Sequence, residues 1–255
     1  MSMIVDRELL RLMPDINRHA FKTFGDRVKT GPFVGMIIPE CPPWNDGNAS
    51  AKLLGTYEYV LHEAIEFAIG RCPAVVVNVG CAEGYYAIGL KLRMSDAIVY
   101  AIDKKTKSVQ TLRDYAKRNG ASGIIDMIGC RLPEEMRLTD NKGHRLYVID
   151  CEGDERTLID VERCPELLFS DLIVECHDFM HEGTSAVIAD RLVASHNVEI
   201  IRPRLPDFGQ FSFVCNMPTT ASVLMVMEKR PMPTCWLSCW SKKKGTVDAC
   251  DLALK

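Results

Sequence analysis

The stretch Ala74 to Leu90, AVVVNVGCAEGYYAIGL, constrains this chain more than any other. Five apolar residues, interrupted only by Asn78, run into a turn bounded by Gly80 and Gly84, and a helical pattern opens at Tyr85. A short valine-rich run of this kind fits a strand buried on both faces, as parallel strands are. The turn that follows aims the unpaired N–H groups and the positive dipole end of a helix at whatever lies above the sheet, which favours an anionic group. Glycines let the backbone come close to that ligand. The first expectation is a nucleotide-like cofactor at the C-terminal ends of parallel strands.

The remaining pattern supports a parallel sheet. Ala97–Ile102 reads as a second strand ending at Asp103, Lys107–Asn119 as a helix stopped by Gly120, and Gly123–Ile128 as a third strand. Arg145–Ile149 is a fourth strand ending at Asp150, Glu155–Arg163 a short helix, Leu172–Glu175 a fifth strand, and Gly183–Ser195 a helix. Val198–Arg202 and Ser222–Glu228 (SVLMVME) read as two further strands with no helical pattern between them. Alternating strands and helices imply a parallel sheet covered on both faces, and the last pair implies an antiparallel edge. The fold expected is a seven-stranded, mostly parallel, Rossmann-like α/β sheet with an N-terminal helical extension.

Before this core, residues 1–30 carry an amphipathic helical pattern, with Leu9, Leu10, Leu12, Met13, Ile16, His19, Ala20 and Phe24 largely on one face. Residues 31–55, which hold Pro32, Pro39, Pro42 and Pro43, read as a long irregular segment, either a lid or a linker packed across the domain. Thr56–Ile69 is an amphipathic helix with Thr56 as its N-cap. The organisation expected is an N-terminal helix and lid-like segment over 1–55, a catalytic domain over 56–230 and a loosely held tail over 231–255.

Composition excludes some classes. The net charge of −3 gives no reason to expect nucleic acid, and no apolar run reaches the roughly 18 residues of a membrane span. The start lacks a basic segment followed by a long apolar one, so no signal peptide is predicted. None of the eleven cysteines forms a C-x-x-C pair, and Cys72, Cys81, Cys130, Cys151 and Cys176 sit in or beside apolar runs. They read as buried thiols of a cytoplasmic protein. Cys235 and Cys239 lack a matching Cys/His pair at zinc spacing.

The cofactor can be narrowed. Ala82 stands where a dinucleotide fingerprint needs its middle glycine, and Asp103 lies 23 residues past Gly80, where a carboxylate can accept the hydroxyls of a ribose. A glycine turn, a ribose acid and no phosphate-binding lysine fit an adenosine without a triphosphate. The segment NVGCAEGYYAIGL followed by AIDKK resembles the first motif and ribose acid of class I S-adenosylmethionine-dependent methyltransferases. VIDCEGDERTLID followed by DLIVECHDF is similar to the I-D-x-E-G-x-E and V-x-E-x-H segments of the FkbM-type methyltransferases. The resemblance covers roughly Leu54 to Arg230, with Asn78 in place of an acidic residue and Gly129-Cys130-Arg131 in place of Gly-Asp-Ala. It implies that the backbone of Gly80, Cys81, Ala82 and Gly84, with Asn78 and Tyr85, faces the methionine part of S-adenosylmethionine. Asp103 and the neighbouring Lys104 would face the ribose, and the backbone of Cys130 the adenine.

The chemistry would lie at the ends of the fourth and fifth strands, which carry Asp150, Glu152, Glu175, His177 and Asp178. Methyl transfer asks the protein to align the acceptor and take its proton. Asp150, Glu175 and His177 are the expected catalytic groups, and Glu152, Asp178, Tyr57 and Glu58 the expected substrate contacts. A metal-free general base is favoured over a divalent metal held by Asp150, Glu175 and His177. The plain alternatives are a core histidine for His177, a helix cap for Asp178 and an acidic first helical turn for the Glu152–Glu155 run.

The function expected is O-methylation of a small-molecule or sugar-like hydroxyl, with no nucleic acid and no membrane as partner; a homodimer is compatible with it. Methylation of nucleic acid or protein, and a non-catalytic protein that binds the cofactor, are the alternatives. Nucleic-acid methylation is disfavoured by the acidic, proline-free Asp150-Cys151-Glu152-Gly153.

Overall fold

A computed structural model describes residues 2–39, 48–130, 132–138, 143–207, 209, 211–212, 219–228, 232 and 234–243. The expectations for Pro42, Pro43 and Arg131, for much of 203–220 and for most of the tail lie outside these residues. In chain order the elements are α1 (Ser2–Phe24), α2 (Ala49–Leu54), α3 (His62–Gly70), β1 (Val75–Val79), α4 (Tyr85–Arg93), β2 (Ile98–Asp103), α5 (Thr106–Asn119) and β3 (Ile124–Ile128). There follow β4 (Arg145–Ile149), α6 (Glu155–Leu158), β5 (Asp171–Cys176), α7 (Thr184–Leu192), β6 (His196–Ile201), α8 (Thr219–Val226) and β7 (Cys235–Ser241). The chain forms two compact units, Met1–His62 with Arg204–Pro231, and Glu63–Pro203 with Met232–Lys255.

The second unit holds the whole sheet, in the order β3-β2-β1-β4-β5-β7-β6. All pairings are parallel except those of β7, which runs antiparallel to both β5 and β6. This is the Rossmann-like sheet expected. From β1 the chain moves outward through β2 to β3, then returns to β4 and moves the other way. Right-handed crossovers in opposite directions put their helices on opposite faces. The sequence of β1 shows the result: Val75, Val77 and Val79 enter one core cluster with Tyr147, Ile149, Leu172 and Val174, while Val76 and Asn78, on the other face, are also buried. The reversal between β1 and β4 opens a crevice at their C-terminal ends, where such sheets bind ligands.

Two expectations are corrected here. Ser222–Glu228 is not a strand: Thr219–Val226 is helix α8, which packs on α1 and α2 in the first unit. A short run of Val, Leu and Met has no period that separates strand from helix, and its packing partners decide. The last strand is instead β7, inside the segment read as a tail. It lies between two neighbours and is buried along most of its length, with Trp236, Leu237, Ser238 and Cys239 at 2% exposure or less. Residues four apart in a strand are about 13 Å apart, so Cys235 and Cys239 do not pair as metal ligands. All described cysteines are free thiols; Cys72, expected to be buried, is exposed.

In the first unit, α1 buries Met13, Asn17, Ala20 and Phe21, a stripe at helical spacing, while Leu12 of the expected face is exposed. Asn17 Oδ1 accepts the N–H of Ser50 at 3.0 Å and so fixes the start of α2, which replaces part of the irregular segment expected over 31–55. Thr56 is not an N-cap. Its hydroxyl donates to the Val226 carbonyl at 3.0 Å, and the expected single helix over 56–69 is a 3-10 turn at Tyr59–Leu61 followed by α3. The expected helix over Glu155–Arg163 is only the short α6. Among the described residues, no helix is long and apolar enough to cross a membrane.

Candidate active site

The crevice is built by three turns. After β1, Gly80 takes φ +77°, and a Cβ there would lie 1.6 Å from the Asp150 carbonyl oxygen. The β1 and β4 turns therefore meet through a glycine that has no substitute. The carboxylate of Asp103, at the end of β2, closes on the same turn: Oδ2 accepts the Ala82 N–H at 3.0 Å and Oδ1 the Lys105 N–H at 2.7 Å. Three non-glycine residues at these strand ends have positive φ: Ala82 at 46°, Cys130 at 73° and Glu152 at 55°. Side chains seldom adopt that conformation, and it gathers at functional sites. No residue-type signal announced it.

The expected cofactor contacts fall along this rim. Asn78 donates from Nδ2 to the Val148 carbonyl at 3.2 Å, while its Oδ1 is buried and has no hydrogen-bond partner among the described residues. A buried acceptor of this kind calls for a donor from elsewhere. Tyr85 opens α4, and its ring meets that of Tyr86 edge-on with centroids 5.4 Å apart. Lys104 pairs with Asp154 at 3.3 Å, an exposed bridge between the β2 and β4 ends. Burial pushes the Cys130 thiol up to about 12, and burial with the nearby Asp103 charge raises that of Cys81 further, so neither is a nucleophile at neutral pH.

At the ends of β4 and β5 the carboxylates surround one imidazole. His177 Nδ1 lies 2.9 Å from Glu155 Oε1; its Nε2 lies 3.5 Å from Glu152, 3.9 Å from Asp150 and 3.9 Å from Glu175. Glu155 is the organiser, and the sequence reading missed it, taking it for part of an acidic first turn. Its Oε1 also accepts the N–H groups of Cys151 at 3.0 Å and Gly153 at 3.1 Å. One oxygen thus fixes both the β4 turn and the ring of His177. Burial alone would raise the Glu155 carboxyl, but the hydrogen bond from His177, its charge and the Gly153 N–H outweigh burial and hold it below the usual range. For His177, burial would lower the pKa, but the hydrogen bond to Glu155 and the charges of Glu175, Glu155 and Glu152 outweigh it and raise it.

The other predicted residues divide. Glu175 is buried, and its Oε1 accepts the hydroxyl of Thr234 at 2.7 Å. Thr234 went unnoticed in the sequence because it stands 59 residues away and arrives only through the β5–β7 register. Asp178 faces the first turn of α7, accepting from the Ser185 N–H at 3.1 Å and hydroxyl at 3.0 Å, while the N-cap of that helix is Gly183. Tyr57 and Glu58 belong to the first unit, where the Tyr57 ring carries the Lys52 ammonium 4.7 Å from its centroid and the Glu58 N–H donates to Glu228.

No protein-family model matches the sequence, and no curated protein matches it. Among solved structures, the chain is similar to a precorrin-6y C5,15-methyltransferase from Geobacter metallireducens, at 11% identity and a TM-score of 0.49 over 71% of this chain and 89% of that one. It is similar to an rRNA methylase from Streptococcus thermophilus, at 10% identity and a TM-score of 0.47 over 71% and 95%. A putative methyltransferase from Streptococcus mutans, in complex with SAH, gives 10% identity and a TM-score of 0.45 over 69% and 96%.

Proposed function

We propose that this protein is an S-adenosylmethionine-dependent methyltransferase of the FkbM-like kind, acting on a hydroxyl of a small-molecule or sugar-like acceptor. The observation that carries the reading is the closure of Asp103 onto the Gly80–Gly84 turn at the point where the strand order reverses. Each carboxylate oxygen there already accepts one backbone N–H and has a second acceptor position for a ribose hydroxyl. The buried, unsatisfied Asn78 Oδ1 beside this turn fits a donor such as the ammonium of the methionine end.

When bound, the cofactor supplies the methyl group and its leaving group. The chain's own part is to hold and orient. Gly80–Gly84 with Asn78 would hold the methionine part, Asp103 the ribose, and the Cys130 backbone the adenine. Asp150, Glu175 and His177, on adjacent strand ends, would align the acceptor hydroxyl and receive its proton. Calorimetry with S-adenosylhomocysteine tests the reading. Binding is expected, and Asp103→Ala is expected to weaken it by about 1.5–3 kcal/mol, the worth of hydrogen bonds to a charged acceptor. Absence of binding to the parent protein would sink the methyltransferase reading, and an unchanged affinity in Asp103→Ala would remove Asp103 from the ribose.

A further inference from the structure

We infer that Asp150, Glu175 and His177 form a binding site for one divalent cation, held by two carboxylate oxygens and one imidazole nitrogen. One donor atom from each lies within 4.8 Å of the others. The Nε2 atom is 3.9 Å from both Asp150 Oδ1 and Glu175 Oε2. These separations are too long for hydrogen bonds. They match two donors each about 2.1 Å from a shared ion, which stand about 3–4 Å apart.

What distinguishes the group from a chance cluster of acids is how its donors are prepared. The His177 side chain is only 5% exposed, its Nδ1 is held by Glu155 at 2.9 Å, and its Nε2 makes no hydrogen bond among the described residues. A ring nitrogen committed to a carboxylate, with the other facing buried Glu175, half-buried Asp150 and exposed Glu152, is an arrangement that orients histidine toward a metal. Glu175 is likewise oriented: its Oε1 accepts the Thr234 hydroxyl at 2.7 Å, and its Oε2 is the oxygen 3.9 Å from Nε2. Three donors of this mixed kind suit Mn2+, Mg2+ or Zn2+ and leave coordination positions for water or an acceptor oxygen.

The role of the ion rests on the methyltransferase reading; its binding does not. An ion held there would lower the pKa of an acceptor hydroxyl brought to an open position. The hydroxyl proton would leave to bulk water. The freed oxygen pair forms the new C–O bond as the C–S bond breaks, and sulfur keeps that pair. The ion would then take over the task that a metal-free site gives to Asp150, Glu175 and His177.

The test is calorimetry on the full chain, stripped with EDTA and dialysed, titrated in turn with MnCl2, MgCl2 and ZnCl2. Binding of at least one ion at one per chain is expected. Asp150→Asn, Glu175→Gln and Thr234→Val are each expected to weaken it at least about 10-fold, as loss of a donor or its orienting partner does. Asp154→Asn, an exposed acid on the same turn, is expected to leave it unchanged. Thermal midpoints and circular dichroism establish that each variant is folded. No binding of any of the three ions up to about 1 mM would overturn the inference. So would equal binding in the folded Asp150→Asn and Thr234→Val variants. Titration of the same preparation with S-adenosylhomocysteine keeps the two ideas apart. Nucleoside binding without ion binding overturns the ion site alone, and ion binding without nucleoside overturns only its assigned role.

Discussion

Gly80→Ala is expected to destabilise this protein by more than about 4 kcal/mol, a loss that few single substitutions reach. Two independent causes act at one position. The backbone has φ +77°, which an alanine adopts only under strain, and the added Cβ would lie 1.6 Å from the Asp150 carbonyl oxygen. The obstacle is main chain, so no side-chain rotation relieves it, and either the β1 turn or the β4 turn must move. Movement of either one displaces Asp150 relative to the Gly80–Gly84 turn, so any residual folded protein is expected to lose the proposed nucleoside binding as well. Gly84→Ala is the informative comparison. It shares the positive φ, at +94°, but its Cβ would meet the end of the Leu112 side chain at 2.9 Å, which can shift. Its cost should be about 1–3 kcal/mol, that of strain alone. Urea unfolding of both variants checks the pair, and similar midpoints would mean that the β1 and β4 turns are not locked together through Gly80.

The contrast between these glycines shows what a sequence can reveal here. The turn was legible because an apolar run, two glycines and a helical pattern occur together, and Asp103 because an acid at a strand end is exceptional. The acids at Asp150 and Glu175 were legible for the same reason, since each ends a run that must be buried. Glu155 was not, because an acid in a first helical turn has an ordinary explanation in the helix dipole. Only the fold shows that its Oε1 faces inward to His177 and two backbone N–H groups. Thr234 depended on β7, which was itself misplaced. Trp236, Leu237 and Cys239 alternate with nothing polar enough to mark a face, because the strand is covered on both sides. The acids at the strand ends were thus readable, and the groups that hold those ends in position were not.

At the opposite end of the sheet, Asp171→Asn is expected to cost about 3–5 kcal/mol, the usual loss on breaking a buried ion pair. The Asp171 side chain is 1% exposed at the start of β5. It takes Arg71 in a fork at 2.5 and 3.0 Å, lies 2.6 Å from His144 Nε2, and accepts the Ser241 N–H at 3.0 Å. One carboxylate therefore ties the end of α3, the approach to β4 and the end of β7 to β5. An asparagine keeps the shape but removes the charge and sets an amide N–H2 among donors. The pH dependence separates charge from packing. Burial would raise the Asp171 carboxyl, but the hydrogen bonds from His144 and Arg71 outweigh burial and hold it below its ordinary value. A carboxylate depressed in the folded state contributes stability that is complete above its unfolded pKa, about 3.9, and is lost as pH falls through the folded value. The gap between the parent protein and Asp171→Asn should therefore be full at neutral pH, where it amounts to a midpoint shift of about 10 °C, and should narrow on acidification. Thermal unfolding of both proteins from neutral pH into the acid range measures it. A gap that stays constant would mean that the three segments are joined by shape and packing at Asp171 rather than by its ionised carboxylate.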